Sequence, residues 1–330
     1  LVSDLFCWLR ADTFRDRQYL VPRQLPNDLI RLERFYYSRG FRGAEADTVV
    51  DRSDDAVRLR FVIDEGEPHI VDAIEYEGLD AFPEWRQERL IRDLPIGVGD
   101  RLDLIRRDAA RNLILARLEN LGYAHAEVLI DQFIPADTRA ASIRFVLDTG
   151  PLVRFGQIDV TGNRILDATS IRRMMPFSEG DLYSRRERED GQRNLYSLEV
   201  VRLANVKELG EEFDTIMPIE IEVQEGDLHR VRTAVGWSTS DCVNAEAQWS
   251  SRNWLGGARR LQIRARIANV LAPQFNQNLC PQTGADEFAE LNGQVSVQLV
   301  QPWIFSPRNS LNINAFVERY RRECSERNIE

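Results

Sequence analysis

Residues 223–237 read VQEGDLHRVRTAVGW, and they join two different kinds of sequence. The first four close an apolar strand with an acidic or polar residue and then a glycine, and residues 62–66 (VIDEG) and 146–150 (VLDTG) end in the same way. The three glycines recur at intervals of about 80 residues, the length of a whole small domain, so the pattern predicts a tandem array. From residue 230 onward apolar and polar residues alternate, which predicts a domain of another kind.

The middle repeat shows the order of elements most clearly. Its periodic segments predict a strand, two helices and two strands, in that order, at residues 70–76, 84–93, 103–121, 126–133 and 142–148. Gly122 follows the second helix as a C-terminal cap. The predicted fold class is therefore α+β, with tandem domains of the order β-α-α-β-β.

The repeat boundaries predict four domains, at residues 1–67, 68–151, 152–227 and 228–330. We expect the first domain to be N-terminally incomplete, because no strand precedes its helix after Leu1. The third repeat has Glu199 where the others have Gly40 and Gly122. Since a non-glycine residue in the left-handed conformation costs roughly 1 kcal/mol, we expect the second helix of this repeat to end differently.

The C-terminal domain contains five alternating segments without helical period. They lie at residues 230–237, 245–249, 261–267, 295–299 and 311–317. We expect each strand to reach the roughly 9 to 11 residues that a tilted membrane crossing needs. They are predicted to be the first antiparallel strands of a transmembrane β-barrel, which five strands alone do not close, so we expect this domain to be incomplete. The alternative is a soluble β-sandwich with one wet face.

One sheet and two helices per repeat leave sheet edges open, and an open edge can accept an extended peptide by main-chain hydrogen bonding. The alternative is that these edges only contact neighbouring repeats. The candidates for client pairing are the second strands of the repeats. Their residues are Ala126, Glu127, Val128, Leu129, Val200, Val201, Leu203 and Val206.

Composition excludes several other classes of function. The formal net charge is −10, which argues against a nucleic-acid binder, since such a protein shows a concentrated basic face. The three histidines, His69, His125 and His229, are far apart in sequence, and no cysteine spacing is typical of a zinc site. We therefore expect no catalytic residues, no cofactor and no metal.

Several short motifs resemble one known family. They are residues 150–156 (GPLVRFG), 160–163 (VTGN), 176–183 (PFSEGDLY), 251–259 (SRNWLGGAR) and 301–303 (QPW). With the repeats and the alternating strands, these motifs resemble the BamA/TamA superfamily of outer-membrane protein assembly factors. In that family periplasmic POTRA domains precede a β-barrel. Three repeats directly before the barrel favour the TamA branch over the BamA branch, which has more.

The resemblance implies a protein that is not an enzyme, in the outer membrane of a diderm bacterium with its repeats in the periplasm. Unfolded outer-membrane or autotransporter clients would pair with the repeat edges and be inserted or translocated through a lateral gate. A periplasmic or inner-membrane partner would bind the N-terminal POTRA domain, lipid would surround the barrel, and no nucleic acid would be bound. The resemblance also implies that the first barrel strand lines the gate, which makes its candidates Val231, Thr233, Val235, Gly236 and Trp237.

Two other functions stay open. POTRA-like repeats also serve as pure binding scaffolds, and some relatives carry a phospholipase-like domain upstream, which would make this chain the transport or anchor part of a larger outer-membrane enzyme. A nucleophile motif such as G-x-S-x-G upstream would indicate the enzyme.

Three cysteines fall on one side of the predicted membrane sheet. If the first strand starts in the periplasm, Cys242, Cys280 and Cys324 all lie on the outer side. A disulfide between two of them fits that oxidising setting. Three unpaired thiols are the alternative.

Overall fold

The computed structural model describes residues 21–53, 57–211, 214–238, 242–270, 291–307 and 309–319. The chain divides into two compact units, which comprise Leu1–Arg117 with Ala126–Asp148, and Leu118–His125 with Thr149–Glu330. Among the helices of these described ranges, none has the length and apolar character needed to span a bilayer.

The first unit contains two repeats. The first repeat has a 3-10 turn at Pro22–Gln24, helix α1 (Leu25–Ser38) and the antiparallel strands β1 (Glu45–Arg52) and β2 (Val57–Asp64). The middle repeat consists of β3 (Ile70–Glu77), a 3-10 turn (Leu79–Ala81), α2 (Glu84–Ile91), α3 (Leu104–Glu119), β4 (Glu127–Phe133) and β5 (Ala140–Asp148). Its sheet order is β3-β5-β4, with β3 parallel and β4 antiparallel to β5. The predicted order β-α-α-β-β is confirmed.

The second unit begins with the third repeat. It consists of β6 (Arg154–Thr161), α4 (Ala168–Arg172), α5 (Arg185–Tyr196), β7 (Val201–Glu208) and β8 (Ile216–Glu225), in the sheet order β6-β8-β7. The two helices begin at side-chain caps, since Asp167 accepts from the backbone N–H of Ser170 and Ser184 accepts from that of Glu187. One hydrophobic core joins helices and sheet, and in it the rings of Phe155 and Phe177 stack 3.8 Å apart.

The alternating C-terminal segments form one five-stranded antiparallel sheet, as predicted. Its strands are β9 (His229–Ser238), β10 (Cys242–Ser251), β11 (Arg260–Val270), β12 (Asn292–Gln301) and β13 (Leu311–Arg319). They follow one another as a meander in the order β13-β12-β11-β10-β9. Residues 273–290, a polar stretch that the sequence predicts to be a long connection between β11 and β12, lie outside the described residues.

The sheet has one apolar and one polar face, because its register keeps like residues in rows across the strands. One row consists of Val231, Trp249, Ile263, Val297 and Ala315. The adjacent row on the opposite face consists of Arg230, Ser250, Gln262, Gln298 and Asn314. This alternation is typical of a strand that faces lipid on one side and a polar lumen on the other.

Candidate functional site

The predicted client strands lie at sheet edges. In both three-stranded sheets the last strand is central, which leaves β4 and β7 at the outside. The opposite edges are partly covered by the loop before the second helix. In the first unit the N–H of Val71 donates to Asp100 O at 2.8 Å, and in the second the N–H of Phe155 donates to Asp181 O at 2.9 Å. The strands β4 and β7 are therefore the edge strands whose main-chain groups are open for pairing with another strand.

The side chains of the candidate residues divide into two groups. Buried in the domain cores are Ala126, Val128, Val200, Val201 and Val206. Exposed on the other face of the sheet are Glu127, Leu129 and Leu203. The strand bounds also need correction, because Ala126 and Val200 come one residue before β4 and β7 begin. A partner strand would thus meet main chain and the exposed group, while the buried group holds the edge in place.

In the first two repeats a glycine follows the helix that precedes the hairpin, which is α1 before Gly40 and α3 before Gly122. The segment that leads to the next repeat passes close to this glycine. The carbonyl of Gly40 accepts from His69 N at 2.9 Å, and that of Gly122 accepts from Val153 N at 2.8 Å. Both glycines have positive φ, and a Cβ added to Gly122 would lie 2.7 Å from Leu182 Cδ1. At the third position Glu199 has no positive φ, so the expectation that this helix ends differently is confirmed. Its carboxylate pairs with Arg260, the first residue of β11.

Residues 118–125 belong to the second unit and hold the start of helix α5. The Arg185 guanidinium donates to Glu119 and Glu189, each at 2.8 Å, and the hydrogen bond to Glu119 raises the pKa of Arg185 above its ordinary value. The Asn120 side-chain oxygen accepts from Arg186 N at 2.8 Å and so caps the helix beside Ser184. Charge and capping together fix where helix α5 begins.

The buried Tyr183 connects the start of helix α5 to the edge strand β7. The Tyr183 hydroxyl donates to Glu208 Oε1 at 2.6 Å, and Arg188 Nε lies 3.0 Å from the same oxygen. Burial and this hydrogen bond raise the pKa of Tyr183, so the neutral phenol is favoured in the folded domain. The tyrosine therefore joins the helix start to the end of β7.

Glu225, the last residue of β8, anchors the junction with the five-stranded sheet. Its carboxylate accepts three backbone N–H groups, from Arg164 at 2.8 Å, Ile165 at 2.6 Å and Leu166 at 2.9 Å. The carbonyl of Ile165 in turn accepts from Asn253 Nδ2 at 2.8 Å, in the turn between β10 and β11. The loop that this carboxylate holds thus connects the end of the repeat to the turn between β10 and β11.

Both turns on this side of the sheet also pack on the third repeat. Ala258, in the turn after β10, is buried in the core of the repeat, and Trp303, in the turn after β12, packs against that core. The guanidinium of Arg173 lies 4.6 Å from the Trp303 ring centroid, in cation–π geometry. Since only residues 226–228 separate β8 from β9, these contacts set where β9 starts.

Among the described residues, the predicted gate strand β9 lies at one of the two edges of its sheet. It pairs with β10 alone, in unbroken register from His229↔Ser251 to Cys242↔Ser238. Its predicted apolar residues Val231, Val235 and Trp237 are exposed, with Val235 at 80%.

Gly236 causes no bulge in this strand. A Cβ there would lie 2.9 Å from Asn244 Oδ1, so the glycine makes room for its cross-strand neighbour. A glycine inside a strand either bends it or makes room for a neighbour, and the unbroken register supports the second role for Gly236.

The polar face carries cross-strand pairs. Arg264 bonds to Glu246 at 2.6 Å, and Gln298 donates to Asn312 Oδ1 at 3.0 Å. Cys242, at the far end of β10, is disulfide-bonded, while the other cysteines named above, Cys280 and Cys324, lie outside the described residues. Across the described ranges, no group of three or more His, Cys, Asp or Glu residues is placed to hold a metal ion.

Glu225 and Asn253 were not among the sequence-derived candidates. Both stood in stretches that the sequence singled out, the repeat ending at residues 223–226 and the motif at 251–259. Their role depends on contacts between residues 88 apart, as for Asn253 and Ile165, and no local pattern indicates these.

Comparison with known proteins places this geometry in context. A family model described as POTRA, surface antigen variable number repeat, matches residues 153–226. The chain is 23% identical over 247 residues to the outer membrane protein assembly factor BamA of Buchnera aphidicola subsp. Acyrthosiphon pisum (strain APS). That match covers 73% of this chain but 39% of BamA, so the chain spans about two fifths of the length of the curated relative.

Among solved structures, the chain is similar to BamA from Haemophilus ducreyi lacking POTRA domains 1–3, with a TM-score of 0.56 and 16% identity. The match covers 72% of this chain and 41% of that one. POTRA domains 3–5 of Haemophilus influenzae BamA match with a TM-score of 0.45 and 20% identity over 61% of this chain and 80% of that one. The first likeness supports the fold, which is POTRA domains followed by antiparallel strands like those of the BamA barrel. With the family model and the relative above, this likeness supports the resemblance to BamA-type proteins that the sequence suggested, without singling out the TamA branch.

Proposed function

We propose that this chain, as a protein of the BamA/Omp85 type, acts in the outer membrane as an assembly or translocation factor for other outer-membrane or autotransporter proteins. Its POTRA domains lie in the periplasm and receive extended client segments. The five-stranded sheet is the start of a barrel surrounded by lipid. No catalytic step is part of this proposal, since the work is done by strand pairing and apolar burial.

The observation that carries the proposal is the direct junction between the POTRA domain and the two-faced sheet. The apolar row that includes Val231 and Ile263 runs across all five strands, and many side chains on this face are exposed. An exposed apolar face of this extent on a water-soluble protein would be an aggregation hazard, whereas lipid is its natural solvent. The contacts of Glu225, Asn253 and Trp303 hold this sheet on the domain that precedes it.

The proposed mechanism depends on which strands have unpaired main-chain groups that a client segment can bind. Client segments pair with the open edges β4 and β7 by β-augmentation, since main-chain hydrogen bonds do not depend on client sequence. The gate strand β9 then offers a further edge inside the membrane plane. Because Glu225 fixes the start of β9, the strand is held in place for this transfer.

Depletion of the protein in its own cells tests the proposal. We expect the amounts of folded outer-membrane barrel proteins to fall, as measured by heat-modifiable mobility on gels and quantitative mass spectrometry. Unchanged amounts of every barrel protein would refute the assembly role and favour the binding scaffold or the anchor of an enzyme.

A photo-crosslinking amino acid locates the transfer step. Placed at Val235 in β9, it should capture nascent barrel proteins in intact cells. The matched control is Ile267, which lies in the same cross-strand row but on the central strand β11. Equal capture at both positions would contradict a gate at β9.

A further inference from the structure

The three repeats present equivalent hairpin strands with different chemistry. In β1 the exposed alternate positions are Glu45, Asp47, Val49 and Asp51, three of which are carboxylates. Charged side chains along an edge are a common protection against strand addition. This edge is therefore a poor acceptor for an apolar segment.

The edge of β7 is protected by other means. Its register with β8 shifts between Val201 and Leu203, which breaks the regular array of edge groups. Lys207, on the exposed face, binds Glu222 at 2.7 Å and lies 3.7 Å from Glu220. Bulges and edge lysines both disfavour the addition of another strand.

The edge of β4 has no register shift and no lysine, and it exposes two carboxylates, Glu127 and Asp131, where β1 exposes three. It pairs with β5 without interruption from Glu127↔Asp148 to Phe133↔Ser142. Its exposed face carries Leu129, which is 59% exposed, and Phe133, which is 67% exposed. A regular edge with large apolar side chains is a template for strand addition.

Between the two apolar side chains lies a carboxylate without a partner. Asp131 is exposed, and within the described part of the chain its carboxylate makes no hydrogen bond or ion pair. Its cross-strand neighbour Arg144 bonds instead to Glu75, at 3.1 Å. A strand added beside β4 would place every second side chain next to Leu129, Asp131 and Phe133, where apolar contacts and an opposite charge are favourable.

We propose that β4 is the edge of this chain that selects its clients, and that it prefers extended segments with apolar, basic and apolar residues at alternate positions. The preference is set by Leu129, Asp131 and Phe133. This inference rests on the proposed function and narrows it in two respects. The accepting edge becomes β4 rather than both β4 and β7, and the substrate class becomes extended segments with a central Lys or Arg rather than any extended segment.

Two fluorescent peptides test the preference on the full chain in lipid nanodiscs. They share one alternating apolar sequence and differ only at the central position, which is Lys in one and Glu in the other. Fluorescence anisotropy should show tighter binding of the Lys peptide, by up to about fivefold, the range expected for an exposed ion pair. Bound peptide should also slow hydrogen exchange at residues 127–133 and not at 201–208.

Single substitutions distinguish selectivity for the charge of the central peptide residue from nonspecific apolar binding. Asp131→Lys should reverse the preference toward the Glu peptide, and Asp131→Asn, which introduces no like charge beside Arg144, should abolish it. Leu129→Ser should weaken both peptides equally, whereas Leu203→Ser on β7 is the matched control and should change neither. Circular dichroism confirms that each variant is folded.

Three outcomes would overturn the inference. They are equal binding of both peptides, an Asp131→Lys variant that keeps the original preference, and protection that falls on residues 201–208. None of these affects the assembly role, which the depletion experiment tests separately. Conversely, unchanged barrel proteins on depletion would refute that role even if the peptide preference were measured.

Discussion

Glu225→Ala should release the loop that joins the third repeat to the sheet. The carboxylate accepts N–H groups from Arg164, Ile165 and Leu166 at 2.6–2.9 Å. Each hydrogen bond to a charged group contributes about 1.5–3 kcal/mol, but the exposed N–H of Arg164 finds water instead. Leu166 is only 2% exposed, so its N–H is left without a partner. We expect a net loss of about 2–3 kcal/mol in the local stability of the loop.

Glu225→Gln should have a smaller effect, because the amide keeps one acceptor oxygen. With that oxygen placed at Oε2, the bonds from Arg164 and Ile165 persist, while the amide NH₂ faces the N–H of Leu166. We expect a loss of about 1 kcal/mol for the one hydrogen bond removed. Glu225→Ala should therefore lower the local stability of the loop more than Glu225→Gln does.

Hydrogen exchange measured by mass spectrometry reads this local stability directly. Since each 1.4 kcal/mol is a factor of ten, exchange in the loop should speed up roughly 30- to 150-fold in Glu225→Ala and about fivefold in Glu225→Gln. The N–H of Ala258, which donates to Asn253 Oδ1 at 2.9 Å, should also exchange faster, because Ile165 holds that asparagine.

The matched control is Glu222→Gln, which makes the same charge change on the same strand but removes only an exposed ion pair with Lys207. If the loop exchanges no faster in Glu225→Ala than in this control, the carboxylate does not hold the junction.

Other changes test the remaining contacts. Gly122→Ala should lower the melting temperature more than Gly180→Ala, since both have positive φ but only at Gly122 would the new Cβ meet a neighbour, at 2.7 Å. Tyr183→Phe should cost about 1 kcal/mol at neutral pH for the lost hydrogen bond. The raised pKa of Tyr183 means that its contribution is present below about pH 10 and lost as the pH rises further, so urea unfolding of the variant should be less sensitive to alkali. In bilayers, Ile263→Cys should react with a lipid-soluble thiol reagent and Arg264→Cys with a water-soluble one, after subtraction of the unsubstituted chain. The reverse pattern would exclude the assigned faces.

The order of elements was readable from sequence because periodicity is local. Alternation of period two located all five strands of the sheet and their apolar faces, since neighbouring side chains in a strand point to opposite sides. Gly122 also marked the end of a helix, because a glycine directly after a helical pattern is a common C-terminal cap. The third repeat has Glu199 in place of this glycine, and its helix ends differently. Boundaries were less accurate, and Ala126 and Val200 were assigned to strands that begin one residue later. Strand ends depend on pairing with a partner, which the local pattern does not contain.

Only the tertiary structure decided which side chains and strands that are distant in the chain contact one another. Sequence named the second strands of the repeats as edge candidates, but only the order β3-β5-β4 shows that β5 is enclosed by its two partners and that β4 lies at an outside position. The anchor at Glu225 joins residues about 60 positions apart, and the free carboxylate of Asp131 follows from Arg144 bonding to Glu75 across the sheet. Such contacts join residues distant in the chain, and their energies depend on geometry that no short pattern specifies. The sequence by itself therefore determined that strands follow helices and that a two-faced sheet follows the repeats. Packing alone decided which edge keeps a regular register and which carboxylate is left without a partner.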